Sequence, residues 1–243
     1  MEKALPEIRV VYYSYPPHSF EDDHGLKGAA VDVWERVAKR AGYKVKWVGP
    51  IPFRRAQYML EKGEVDGLVR LSKTEERERR FLYSTTATMW GKQGIAVLKT
   101  EPMNEIKNAE VLFGKTIGHI DGGILPDFIK LHLDKIQMEP VPVEAVELNM
   151  TKLFRRRIWG VYFAFTDVAI YDATKVNKLD QIKFLKYPGS EGFKLSYMPL
   201  SRKADPEMVR RIQKSEELEK PLYDYEKLSQ KYIDEAALSN RKP

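Results

Sequence analysis

A chain of 243 residues, 43% hydrophobic and 31% charged, carries enough apolar material for a packed interior and too much for a disordered tail. Its length suits one large domain or two lobes of roughly 100 to 150 residues each. The 41 Lys and Arg against 35 Asp and Glu leave a net charge of +6, and the signs interleave, as in Thr74–Arg80 (TEERERR), so no basic face for nucleic acid is expected. The absence of cysteine excludes disulfides, thiolate metal sites and cysteine nucleophiles. The longest apolar runs, such as Gly94–Leu98 and Val161–Phe165, fall far short of the roughly 18 residues that a membrane helix needs. Met1–Pro6 has no signal-peptide core, which suits either a cytoplasmic chain or a mature secreted one.

Ile8–Tyr15 (IRVVYYSY) is β-branched and aromatic and is stopped by Pro16-Pro17, which predicts a buried strand ending in a turn. A polar loop with Asp22, Asp23, His24 and Gly25 follows. Ala30, Val33, Trp34, Val37, Ala38 and Ala41 then recur at helical spacing, closed by Gly42. Tyr43–Val48 alternates with period two. Pro52 opens a second helix with Phe53, Ala56, Met59 and Leu60 on its apolar stripe, ended by Gly63, and Val65–Arg70 is a third short strand. The order β-α-β-α-β predicts a parallel sheet with right-handed crossovers.

From Trp90 to Lys99 the chain is extended and glycine-marked, after which strand and helix alternate again. Strands are expected at Thr116–Ile120, Val141–Val143 and Val161–Phe165, and helices at Leu125–Ile136 and Leu148–Ile158. Lys186–Met198, with Gly189 and Gly192, is extended once more, and Pro206–Leu218 and Tyr223–Ile233 read as terminal helices. The predicted fold is therefore α/β with two lobes, each a mainly parallel sheet flanked by helices. The first lobe is discontinuous, residues 1–93 plus 191–243, the second is 94–190, and a two-stranded hinge lies near 90–98 and 186–195.

In an open parallel sheet the ligand crevice lies outside the carboxyl ends of the strands, where loops and helix amino termini converge. That rule nominates Tyr13, Tyr15 and Pro17 after the first strand, Phe53 before the second helix, and Arg70, Leu71, Ser72, Thr74 and Arg77 after the third strand. The rings offer apolar walls, and Arg77 offers a planar fork for a carboxylate. Composition by itself reads strand tyrosines as packing and an arginine within TEERERR as a solvated helix face. Gly122-Gly123 before an expected helix offers backbone N–H groups for an anion, or a mere tight turn.

P-loop, G-x-G-x-x-G, G-x-S-x-G and H-E-x-x-H patterns are missing. His18, His24, His119 and His132 are scattered singly, which predicts no metal, and no cofactor is expected. The glycosylation-type triplet Asn149-Met150-Thr151 falls in a predicted helix and is set aside.

The ordered segments Y-P-P-H-S-F-E-D from Tyr15, G-L-K-G-A-A-V-D-V from Gly25, P-F-R-R-A (Pro52–Ala56), G-E-V-D-G (Gly63–Gly67) and T-E-E-R (Thr74–Arg77) resemble the extracellular solute-binding protein family 3, receptors of polar amino-acid ABC importers. The likeness continues more weakly through Gly114–Gly118 and Asn149–Trp159 to a terminal helix at Tyr225–Tyr232. It implies a type II periplasmic-binding fold whose two lobes close on a small ligand. By that resemblance Arg77 clasps the ligand carboxylate, Ser72 adds a hydroxyl and a backbone N–H, and Tyr15 and Phe53 sandwich the ligand body, with Tyr13, Arg70 and Arg55 as further candidates. Where many members carry a hydroxyl pair, this chain has Gly122-Gly123-Ile124, so help there comes from backbone alone. The aspartate expected to hold an α-amino group aligns on Ala164, with Asp167 three residues later.

The implied function is a non-catalytic, periplasmic or extracytoplasmic receptor, read as a mature chain without its signal peptide. It acts as a monomer, captures a carboxylate-bearing small molecule, and delivers it to the permease of an ABC importer. Two alternatives stand beside it: a ligand-sensing domain, and a dehydratase-like enzyme using Asp121, Asp167 or Glu191 as general acid or base.

Overall fold

The β-branched run after Pro6 forms β1 (Glu7–Val11) in a computed structural model that describes residues 5–239, with Ile8, Val10 and Val11 fully buried. The stretch expected to be a polar loop contains a hairpin, β2 (Phe20–Asp22) and β3 (Gly25–Lys27), in antiparallel register. The Asp22 carboxylate accepts the His24 N–H at 2.9 Å and pairs with Lys27, so polar side chains rather than apolar burial fix this turn. Helix α1 (Ala29–Ala41) buries the stripe from Ala30 to Ala41 and stops at Gly42 in the left-handed region. β4 (Lys44–Val48), α2 (Phe53–Lys62), the two-residue β5 (Gly67–Leu68), α3 (Glu75–Arg80) and β6 (Phe81–Leu82) follow.

The glycine-marked stretch is two strands, β7 (Met89–Gly91) and β8 (Gly94–Leu98). After β9 (Thr116–Ile120) the expected helix 125–136 shrinks to α4 (Asp127–Lys130) followed by turns. Leu125, Phe128, Ile129 and Ile136 still pack on the second unit's core, but Leu131 is 76% and Leu133 49% exposed in the turns that follow α4. The strand expected at 141–143 is instead β10 (Gln137–Val141), an edge strand where Pro140 is tolerated. Next come α5 (Glu147–Phe154), β11 (Gly160–Phe163), α6 (Thr166–Lys175) and β12 (Ile182–Leu185), the last two not foreseen. β13 (Lys194–Ser196), β14 (Leu200–Ser201), α7 (Pro206–Glu219) and α8 (Tyr225–Ser239) complete the described chain.

Two units result, Met1–Trp90 with Leu195–Ser229 and Gly91–Lys194 with Gln230–Pro243. The end of α8 thus groups with the second unit, unlike the expected assignment of all of 191–243 to the first. The first unit's sheet has the order β4-β1-β5-β14-β6; β4 and β5 run parallel to β1, and β14, returning from beyond residue 195, lies antiparallel between β5 and β6. The second sheet, β10-β9-β11-β8-β12, is parallel through β10, β9 and β11, whereas β8 runs antiparallel to β11 and β12.

Each unit has its own interior. In the first, Trp34 is fully buried with its indole N–H donating to the Val69 carbonyl at 2.9 Å, and Val10, Val37, Leu60, Leu68 and Ile212 are fully buried as well. The second is built from Ile95, Val97, Leu112, Ile117, Ile136 and Leu185 with the rings of Tyr162 and Tyr187. Among the described residues no helix is long and apolar enough to cross a membrane.

Candidate functional site

In the first unit the carboxyl ends of β1 and β5 bring a set of rings and two arginines together. Beyond Val11 the chain stays extended, the Tyr12 N–H donating to Val48 at 3.0 Å, and this carries Tyr13 and Tyr15 past the sheet edge. The buried Tyr13 hydroxyl donates to the Arg70 carbonyl at 3.0 Å, tying the two strand ends together. The Tyr13 ring meets Phe53 edge-on at 4.9 Å and lies 6.1 Å from the tilted ring of Tyr15. The Arg70 guanidinium sits 5.3 Å from the Tyr15 ring centre, a cation–π contact. The loop that backs Tyr15 needs Gly28: its φ is 136°, and a Cβ there would lie 2.3 Å from the His18 carbonyl oxygen.

Arg77 enters this cluster through the start of α3. Thr74 is its N-cap, the hydroxyl accepting the Arg77 N–H at 3.2 Å. Of the six helix residues only Arg77 is buried; Glu75, Glu76, Glu78 and Arg79 face water. The Arg77 guanidinium donates to the Ser72 carbonyl at 3.1 Å, which aims it back at the β5 end. Burial lowers its pKa, with the Tyr83 and Tyr13 phenols opposing, and an arginine so placed stays charged. Burial pushes the Tyr13 phenol up to about 12 despite the two guanidinium charges beside it.

Tyr13, Tyr15, Phe53, Arg70, Ser72 and Arg77 are thus neighbours at one sheet edge. Arg55 is not part of this group. It lies on the exposed side of α2, its guanidinium 3.3 Å from Glu64 and stacked 4.9 Å from the Tyr58 ring. Sequence reading missed Tyr83, whose hydroxyl is buried beside Arg77 with no hydrogen-bond partner among the described residues. It also missed Lys73, which donates to the Ser84 carbonyl at 2.8 Å and lies 4.3 Å from the Tyr197 ring. The available signal was position, Lys73 just before the T-E-E-R segment and Tyr83 six residues after it.

In the second unit Gly122, with φ 71°, and Gly123 form a turn after β9, not a helix start: α4 begins at Asp127. The Gly123 N–H is engaged by the Ile120 carbonyl at 3.0 Å. Asp167 lies in the first turn of α6, where the helix dipole favours a carboxylate. Asn149 is fully buried and its amide donates to His119 at 3.2 Å, so the glycosylation triplet is inaccessible. Among the described residues no three His, Cys, Asp or Glu side chains are grouped as metal ligands.

Two α/β units, each interrupted in sequence by the other, and a charged, ring-lined cluster at strand ends define the type II periplasmic-binding class. Residues 8–235 match the model of the bacterial extracellular solute-binding proteins, family 3, and the chain belongs to that family. An ancestral arginine-binding protein, solved bound to glutamine, is 26% identical with a TM-score of 0.73, over 93% of this chain and 97% of that one. The amino acid ABC transporter substrate-binding protein AbpA of Streptococcus pneumoniae, solved bound to L-arginine, shares the fold with a TM-score of 0.78 at 18% identity, covering 95% and 96% of the two chains. A candidate amino-acid ABC transporter-binding protein of Vibrio harveyi, PatH, is 31% identical over 117 residues, 47% of this chain and 46% of that one, so the match spans about half of that relative.

Proposed function

We propose that this protein is a non-catalytic, extracytoplasmic receptor that acts as a monomer, closes its two units on a small carboxylate-bearing solute such as an amino acid, and delivers it to an ABC permease. The observation that carries this reading is Arg77, a buried guanidinium held at the β5 end by the Thr74 cap and the Ser72 carbonyl. A buried cation with a planar fork matches a carboxylate bidentately, and exclusion of water strengthens the pair. Tyr13, Tyr15 and Phe53 supply the apolar walls and the Tyr83 hydroxyl a donor. Asp167 and the backbone of Gly122 are the second unit's proposed contribution, the Gly123 N–H being engaged by Ile120. The amino-acid ligands of the ancestral arginine-binding protein and AbpA support the ligand class.

Calorimetry against the amino acids and small carboxylates tests the reading. Arg77→Ala leaves a buried carboxylate without its partner and should cost on the order of 2 to 5 kcal/mol, or about 30-fold to several-thousand-fold in affinity. Arg77→Lys should rescue only in part, since a point charge does not reproduce the fork. Arg77→Ala binding within about threefold of the parent would remove Arg77 from the site and pass the role to Arg70.

A further inference from the structure

At the opposite edge of the second unit's sheet from Gly122 and Asp167, where β8 ends and β9 and β11 begin, two adjoining cavities open. One measures about 460 Å³ and the other about 390 Å³, and they share Leu98, Thr100 and Arg156. Their linings bring together Lys99, Lys115, Arg156 and Arg157, and Arg155 precedes this pair in the chain. Among the described residues none of these five cations has a carboxylate within ion-pair distance. Two carboxylates share the lining and offset only part of that charge: Glu101, whose oxygens accept the Trp159 indole N–H at 2.7 Å and the Met103 N–H at 3.2 Å, and Asp180.

Local geometry shows that this arrangement is held in place. Helix α5 ends in a Schellman motif, with Arg157 N–H bonded to the Lys152 carbonyl and Arg156 N–H to the Leu153 carbonyl, each at 2.9 Å. The left-handed position, φ 55°, belongs to Arg156, where glycine is the ordinary occupant. A helix carboxyl terminus welcomes a nearby cation, but that accounts for neither Lys99 nor Lys115, which come from other segments. Lys115 is braced 4.6 Å over the Trp159 ring, leaving its ammonium on the cavity wall. Guanidinium forks, ammonium groups and the Thr100 hydroxyl converging on a concave surface suit a multiply charged oxyanion.

We infer that this groove is a second binding site, separate from the amino-acid site, that takes a phosphate-bearing anion. Two sources share that chemistry, a free phosphate compound and a phospholipid headgroup. The test titrates the full chain with inorganic pyrophosphate by calorimetry at low salt, and floats it with vesicles of phosphatidylglycerol against vesicles of phosphatidylcholine alone. Arg156→Gly, which suits the left-handed turn, and Arg156→Gly with Arg157→Gln are compared with the charge-matched control Lys39→Gln with Lys62→Gln on the first unit. A free phosphate source predicts pyrophosphate binding weakened at least tenfold in the double groove variant and preserved in the control and in Arg77→Ala. A headgroup source predicts selective flotation with phosphatidylglycerol, lost in the groove variants only. If neither probe binds, if the control loses as much as the groove variants, or if Arg77→Ala abolishes pyrophosphate binding, the proposal is overturned.

Discussion

Three buried polar groups carry most of the specific chemistry at the residue scale. Arg77 sits in a segment whose composition reads as a solvated helix; the strand-end rule nominated it among several residues, the family resemblance singled it out, and the tertiary structure gives the reason it is buried. Tyr83, beside it, has a buried hydroxyl without a partner, a state that costs free energy in the unliganded protein. Tyr83→Phe should therefore leave thermal stability equal or slightly higher, while weakening amino-acid binding about fivefold, the equivalent of about 1 kcal/mol. Equal affinity of parent and variant by calorimetry would exclude the hydroxyl from ligand contact. Asp172 on α6 is a different case: burial, with Glu147 adding to it and Lys175 opposing, pushes its carboxyl up to about 8, and one of its oxygens has no hydrogen-bond partner. Its folded pKa lies above its unfolded one of about 4, so the folded state binds the extra proton and stability falls as pH rises from about 4 to 8, by up to about 1.4 kcal/mol per unit. Asp172→Asn should remove that slope, matching the parent below about pH 4 and melting higher near pH 8. Parallel melting curves across the window would sink the assignment. Glu216 in the first unit is pushed up to about 8 by burial as well, so a residual slope remains in the variant.

At the scale of elements, caps and turns decide what the sequence pattern leaves open. α3 has six residues, too few to stand alone; the Thr74 cap and the burial of Arg77 hold it. α5 ends because Arg156 takes the left-handed position. For a non-glycine residue that conformation costs about 1 to 2 kcal/mol, and glycine loses about 0.5 to 1 kcal/mol more backbone entropy on folding. Arg156→Gly should thus be stabilising by roughly 0.5 kcal/mol, read as a higher chemical-denaturation midpoint; a lower midpoint would mean that the arginine side chain itself stabilises the fold. The α4 segment shows how far a pattern reaches: Leu125, Phe128, Ile129 and Ile136 pack on the core as a helical stripe would, yet the helix stops at Lys130 and the chain turns, leaving Leu131 and Leu133 exposed.

For the whole molecule, ligand capture and stability are linked. A ligand that binds only the folded chain adds about 2.7 kcal/mol at a hundredfold excess over Kd. In a protein of 243 residues that corresponds to a rise of roughly 5 to 10 °C in melting temperature. A thermal-shift screen of amino acids and small carboxylates should find such a compound, and the same compound should shift Arg77→Ala far less. An equal shift in both would place its binding elsewhere.

The sequence by itself determined the elements that carry their own signal. Helices α1, α2 and α7 announce themselves through period, proline and glycine, and β1, β4 and β9 through β-branched or alternating residues, because burial of one face is written into spacing. Motif order in the first third carried the family. The tertiary structure alone decided what depends on partners distant in the chain. The run Val65–Arg70 announced β5, but β6 and β14 have two residues each, too short for any period, and exist because residues from 67, 81 and 200 meet in one sheet. The placing of Arg70 over Tyr15, of Tyr83 beside Arg77 and of Arg55 out toward Glu64 follows from that pairing, since residues alike in type are separated only by which side of a packed sheet edge they leave. The unpaired cations around Arg156 belong to the same class: Lys99, Lys115 and Arg156 are far apart in sequence, and only the closing of the second sheet makes them one surface.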